Sequence, residues 1–205
     1  MTKTAKNDGR RQRGDRARAQ IVSHALAISS AEGLEGLSIG RIAREAGVGK
    51  GNIQVLFGDK EALQLATLEM AVQLYQREVI SPALEQPSPL QRLLSLVNGW
   101  FHFVEQRTLP GGCFINAVSS EYRARPGLIR DRINHYREAS RDRFRNLIRE
   151  AIDSGELRSE VNISLMVFNL CAFQSIANIA ALMDDIEEFD LARRTSLDLI
   201  YRHAA

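Results

Sequence analysis

Asn52 and Gln54 each carry an amide that can donate and accept at once, which is the pattern an adenine edge offers in the major groove of a duplex. Val55 beside them brings methyl groups suited to the methyl of thymine, and Gly51 has no side chain to hold another backbone away. Lys50 and Lys60 flank the four where phosphates would lie. Setting successive residues about 100° apart around a helix axis puts Gly51 and Val55 at the centre of one face, with Asn52 and Gln54 at its shoulders. Ile53, Leu56 and Phe57 gather opposite and are expected to pack on Ile42, Ala43 and the first helix. The outward face carries no acidic residue, and amides that specify beside lysines that position is the division nucleic-acid contacts require.

Such a face must be held by neighbouring elements, and helical spacing recurs throughout the chain while strand alternation is sustained nowhere. The expectation is an all-α protein of about nine helices. Ile21, Val22, Ala25, Leu26 and Ile28 stripe a first helix over about Asp15–Glu32 that Gly33 stops, behind a tail from Met1 to about Gly14 expected to be mobile. Ser38 reads as the N-cap of a short second helix carrying Ile39, Ile42, Ala43 and Ala46, and Gly47 as its end. Gly47-Val48-Gly49 then joins it to a third helix from Lys50 to Leu56, a helix-turn-helix arrangement. Asp59 caps a fourth helix running to about Ile80, where Pro82 is expected to close it.

Beyond the prolines at 82, 87 and 89, Ser88-Pro89-Leu90-Gln91 opens a fifth helix to about Gln106. Further helices are expected from Cys113 to about Arg123, from Leu128 to Asp153, from the Asn162 cap through Met183, and from about Glu187 to His203. This places a front domain at residues 1–61 and a larger helical domain at 62–205.

Charge follows the same division. The first sixty residues hold eleven Lys and Arg against six Asp and Glu, including all four lysines, whereas the remainder holds sixteen against nineteen. A basic front unit on a slightly acidic body suggests a polyanion bound at one end, and this weighs against a plain three-helix core with a merely solvated polar face.

The stretch Ser38-Ile39-Gly40-Arg41-Ile42-Ala43-Arg44-Glu45-Ala46-Gly47-Val48-Gly49-Lys50-Gly51, followed by Phe57, Lys60, Glu61 and Leu63, resembles the DNA-binding domain of the TetR family of bacterial transcriptional regulators. The resemblance covers residues 16 to 63. It implies a homodimer whose subunits each carry three DNA-binding helices, a linking fourth helix and a larger domain for ligand binding and dimerisation. Ser38 looks like the family's capping hydroxyl that touches phosphate, and Lys60 like its backbone-contacting lysine. Lys50, Gly51, Asn52, Gln54 and Val55 stand at groove-facing positions. Gln54-Val55-Leu56 departs from the pattern, which commonly has Tyr or His beside Phe57. Leu109-Pro110-Gly111-Gly112-Cys113-Phe114, Glu121 and Arg125-Pro126-Gly127-Leu128-Ile129-Arg130-Asp131 resemble one branch of the family's carboxy-terminal domains.

In the second half, Trp100, Phe103, Cys113, Phe114, Asn116, Tyr136, Phe168, Cys171 and Gln174 could line an apolar site for a small-molecule ligand. Cys171, Ser175, Asn178 and Leu182 form a row of mostly small residues that would let a symmetry-related helix approach, so the last two helices are expected to dimerise. His24, His102, His135 and His203 show no metal spacing, the cysteines show no CxxC, and no catalytic constellation appears, so neither metal, cofactor nor enzymatic activity is expected. Ile163–Met183 runs without a charge, but Ser164, Asn169, Gln174, Ser175 and Asn178 suit a helix buried in a bundle better than one in a membrane. With no signal-peptide pattern at the start, the expected compartment is the cytoplasm. The expected function is a transcriptional regulator, a repressor that binds a palindromic DNA operator as a homodimer and is released by a small ligand.

Overall fold

The computed structural model describes residues 4–205, which form α1 (Thr4–Glu32), α2 (Ile39–Glu45), α3 (Lys50–Phe57), α4 (Lys60–Tyr75), α5 (Ser81–Leu84), α6 (Pro89–Glu105), α7 (Phe114–Tyr122), α8 (Leu128–Asp153), α9 (Ile163–Leu182) and α10 (Ile186–Tyr201). A π-helical segment, Gln76–Ile80, joins α4 to α5 without a break, so the described residues make nine separate rods. They include no strand, only an isolated bridge between Leu157 and Ala204.

Two of these helices depart from expectation. α1 starts at Thr4 and takes in most of the tail expected to be mobile, Met1 to Lys3 lying outside the described residues. That tail lacks an apolar stripe to signal a helix, yet its Ala, Arg, Lys and Gln residues favour one intrinsically. Pro82 does not close the fourth helix. The Ser81 N–H bonds back to the Gln76 carbonyl, five residues earlier, and Pro82 follows this wider turn, whose register relieves the clash that proline makes with the carbonyl four residues back in an α-helix.

The chain divides into two compact units, Met1–Ala71 and Val72–Ala205. In the first, α1, α2, α3 and the opening turns of α4 enclose Ile21, Ala25, Leu34, Leu37, Ile42, Ile53 and Leu63. The division falls later than the expected residue 61 because Leu63, Gln64, Thr67, Leu68 and Ala71 of α4 are buried, and Gln64 Nε2 donates to the Leu34 carbonyl at 2.8 Å. In the second unit α6 is central, burying Leu93, Val97, Trp100, Phe101 and Val104 and packing against α5, α8, α9 and α10. Side-chain caps set the starts of several helices: Ser88 accepts from the Gln91 N–H at 3.3 Å, Asn162 from Leu165 at 3.0 Å and Asp185 from Glu188 at 3.0 Å. α9 and α10 form the most extensive helix pair.

Candidate nucleic-acid interface

The turn between α2 and α3 is a Schellman motif. The Val48 N–H reaches the Ala43 carbonyl at 2.9 Å and the Gly47 N–H reaches Arg44 at 3.3 Å, which requires Gly47 in the left-handed region, at φ 65°. At the other end of α2 the Ser38 hydroxyl accepts from the Arg41 N–H at 3.2 Å, leaving its own O–H to donate outward. Arg41 fastens α2 to the end of α1 by pairing with Glu32, and also with Glu45 at 3.0 Å. The hydrogen bond from Arg41 holds the Glu32 carboxyl below its ordinary range.

With α2 so held, α3 presents the face expected of it. Ile53 and Phe57 are buried and Leu56 half-buried, whereas Gly51, Asn52, Gln54 and Val55 are exposed. Val55 is 87% exposed, a large apolar side chain at the middle of a polar face. A Cβ added at Gly51 would meet nothing within 4 Å, so nothing inside the unit calls for a glycine there.

The lysines are less free than the sequence implies. Lys60 Nζ donates to the Glu35 carbonyl at 2.7 Å and lies 3.5 Å from its carboxylate, with about 40% of its side chain still exposed. The Lys50 stem folds back so that its ammonium lies 3.3 Å from where a Cβ on Gly40 would stand. Sequence reasoning also missed Arg18. Its Nη1 donates to the Leu56 carbonyl at 2.7 Å, near the end of α3, and its guanidinium stacks 4.4 Å from the centre of the Phe57 ring. A residue acting by long reach from another helix leaves no local spacing to detect.

In the second unit, Trp100, Phe103 and Phe114 are core residues, while Cys113, Asn116, Tyr136 and Cys171 are half-buried. Asn116 Nδ2 donates to the Gln174 carbonyl at 3.5 Å, bringing α7 to α9, and burial pushes the Cys113 and Cys171 thiols up. Gln174 is buried. Phe168 does not join this group, being 68% exposed.

The small-residue row on α9 is divided in the same way. Ser175 and Leu182 are exposed and Cys171 is half-buried, but Asn178 is buried, its Oδ1 accepting from the Cys113 N–H at 2.6 Å. The exposed apolar stripe is rotated from that row and runs Leu165, Phe168, Ile176, Ile179 and Met183, continuing at Ile186 and Leu191 of α10. Because α9 is apolar on all sides, its sequence could not say which row faces inward. α9 is long and apolar enough to cross a membrane, but its other face is occupied by α6, α8 and α10.

Comparison with known proteins agrees with this architecture. Residues 21–67 match the family described as "Bacterial regulatory proteins, tetR family", and residues 89–196 match "Tetracyclin repressor-like, C-terminal domain". No curated protein matches the chain. Among solved structures, a TetR transcriptional regulator from Chloroflexus aurantiacus is 22% identical, with a TM-score of 0.87 over 94% of this chain and 98% of its own. A TetR-family regulator from Cytophaga hutchinsonii is 18% identical, with a TM-score of 0.84 over 94% and 97%. AibR, solved with isovaleryl coenzyme A and operator DNA, is 18% identical, with a TM-score of 0.65 over 79% and 85%. At these identities the structural likeness concerns the fold.

Proposed function

The chain belongs to the TetR family of bacterial regulators, a DNA-binding helix-turn-helix unit followed by a ligand-binding domain, and from that premise we propose that it is a repressor which binds a palindromic operator as a homodimer and is released by a small molecule. The observation that carries the reading is the outward face of α3, where Asn52, Gln54 and an isolated, exposed Val55 surround a glycine that nothing in the interior requires. Amides pair with adenine, the valine meets thymine methyl, and the bare Gly51 lets the backbone come close. Ser38, Lys50 and Lys60 supply phosphate contacts at its margins, Lys60 exchanging its hold on Glu35 for phosphate oxygens.

Two copies paired through α9 and α10 would place two recognition helices on half-sites about one helical turn apart, or a multiple of it. A ligand that favours a conformation with the readers wrongly spaced would release DNA, to the extent of its differential affinity for that conformation. Such a protein works in the cytoplasm and needs no catalytic group.

Selection of random duplexes by the purified protein at moderate salt, followed by sequencing, tests the reading. A two-fold symmetric motif is expected, and Gln54→Ala should relax one position in each half by about 1 to 3 kcal/mol. Failure of folded protein to enrich any sequence would refute it.

A further inference from the structure

The arginines of α8 fall into two sets. Arg145 pairs with Glu138 at 2.8 Å and with Asp142, and Arg141 also pairs with Glu138 at 2.9 Å, along the outside of the helix. Arg143 stands apart from this rail, half-buried on the side of α8 that carries Tyr136, Ser140 and Leu147. Among the described residues no carboxylate pairs with it. Burial lowers the affinity of its guanidinium for its proton, and the titratable group within electrostatic reach of it is the neutral Tyr75 hydroxyl. A desolvated guanidinium without a counter-charge is costly, and a fold that keeps one has an anion in view.

Further donors gather around it. Tyr75, the last residue of α4, packs edge-on against Phe103 with ring centres 5.7 Å apart, and its hydroxyl lies within electrostatic reach of the Arg143 guanidinium and of the uncharged Cys113 and Cys171 thiols. Burial pushes that hydroxyl up, so it stays protonated and able to donate. Cys113 opens α7, which brings Asn116 to the Gln174 carbonyl at 3.5 Å. Gln174, one turn along α9 from Cys171, is buried with its Nε2 lacking any hydrogen-bond partner. One guanidinium, a phenol and two carboxamides thus come from α8, α4, α7 and α9; α8 packs against α7 and α9 and, with α9, against α6, the helix of Trp100 and Phe103, whose Phe103 ring meets Tyr75.

We propose that Arg143, Tyr75 and Gln174 bind the carboxylate of a small organic acid whose apolar body lies against Trp100 and Phe103, and that this acid is the releasing ligand. The identification of the acid as the effector rests on the ligand-responsive reading above. A single guanidinium with neutral donors matches one negative charge, whereas a phosphate dianion would leave a second charge uncompensated. Tyr75 connects the acid to the response. It ends α4, the π-helical segment follows it directly, and the helix begins at Lys60 beside the reading head, so a pull on Tyr75 acts on the element that enters both units.

Isothermal calorimetry on the purified full chain tests this without DNA, using butyrate, octanoate, benzoate and phenylacetate, each beside its primary amide. At least one acid should bind while its amide does not. Arg143→Met should weaken that acid roughly 10- to 100-fold, as expected for losing hydrogen bonds to a charged group. Gln174→Leu should weaken it less. Before any ligand is added, Arg143→Met should melt at or above the wild-type temperature, because it removes an uncompensated charge; a clear drop would show a structural partner and overturn the proposal. It is equally overturned if none of the four acids binds, if amides bind as well as acids, or if Arg143→Met binds the acid unchanged. Absence of any selected DNA motif would instead sink the regulator reading and leave acid binding standing.

Discussion

Gly51 is the residue at which the needs of folding and of recognition part company. It lies in the first turn of an eight-residue helix with nothing within 4 Å of its missing Cβ, and glycine is a poor helix former because so much backbone freedom is lost. Gly51→Ala should therefore stabilise the protein by roughly 0.5 to 1 kcal/mol. It should at the same time weaken binding to the selected operator, since in the proposed complex the added methyl would stand where a base edge or phosphate approaches. Urea unfolding paired with a DNA titration reads both effects, and unchanged DNA affinity would show that α3 does not approach by this face. The outward face of α3 was legible in the sequence because a short amphipathic helix has one buried side, so Ile53 and Phe57 define by exclusion the exposed side that Asn52, Gln54 and Val55 occupy. Arg18 and Arg143 were not legible, because the first acts from another helix and the second differs from its ion-paired neighbours only in the side of α8 it occupies.

Elements in this chain are bounded by local chemistry, which is why most helix ends could be read from Ser38, Asp59, Ser88, Asn162 and the glycines. The α2–α3 turn depends most on one residue. Gly47→Ala would force φ 65° on a residue with a Cβ, and the expected cost is about 1 to 2 kcal/mol, read as a lower urea midpoint at constant slope. Gly49→Ala, at φ −69°, should cost far less. Where a cap comes from a distant residue the sequence was silent: the Glu156 carboxylate accepts from the Leu90 N–H at 3.0 Å, at the start of α6. Hydrogen bonds from the Ser88 hydroxyl and then from Leu90 hold that carboxyl below its ordinary 4.5. A lowered folded value means that the contribution is present above about pH 4.5 and lost as the pH falls through the folded value. The melting temperature of the wild type should thus fall more steeply below that pH than that of Glu156→Gln, the two curves converging in acid. Parallel curves would mean that the contact does not form.

The whole molecule poses a question of surface. Leu165, Phe168, Ile176, Ile179 and Met183 stand exposed along α9, and Ile186 and Leu191 extend the patch onto α10, more contiguous apolar surface than a monomer comfortably leaves in water. Two-fold pairing would bury it against itself, because a symmetric interface uses one self-complementary patch. That the patch belongs to α9 was readable from composition, but its phase was not, since a helix apolar on every side becomes oriented only when Asn178 meets Cys113 and the opposite face is left bare. Ile179 sits near the middle of the stripe, with 62% of its surface exposed. Ile179→Glu should cost little in the isolated chain, where the carboxylate meets water. In a pair it would place like charges together in an apolar seam, a desolvation that association cannot offset. The variant should sediment as a monomer with unchanged helical circular dichroism. Its binding to the full selected operator should collapse toward that of a single half-site, because two readers no longer share one encounter. Wild type that is monomeric at micromolar concentration would refute the pairing, and Ile179→Glu that remains paired would place the interface elsewhere.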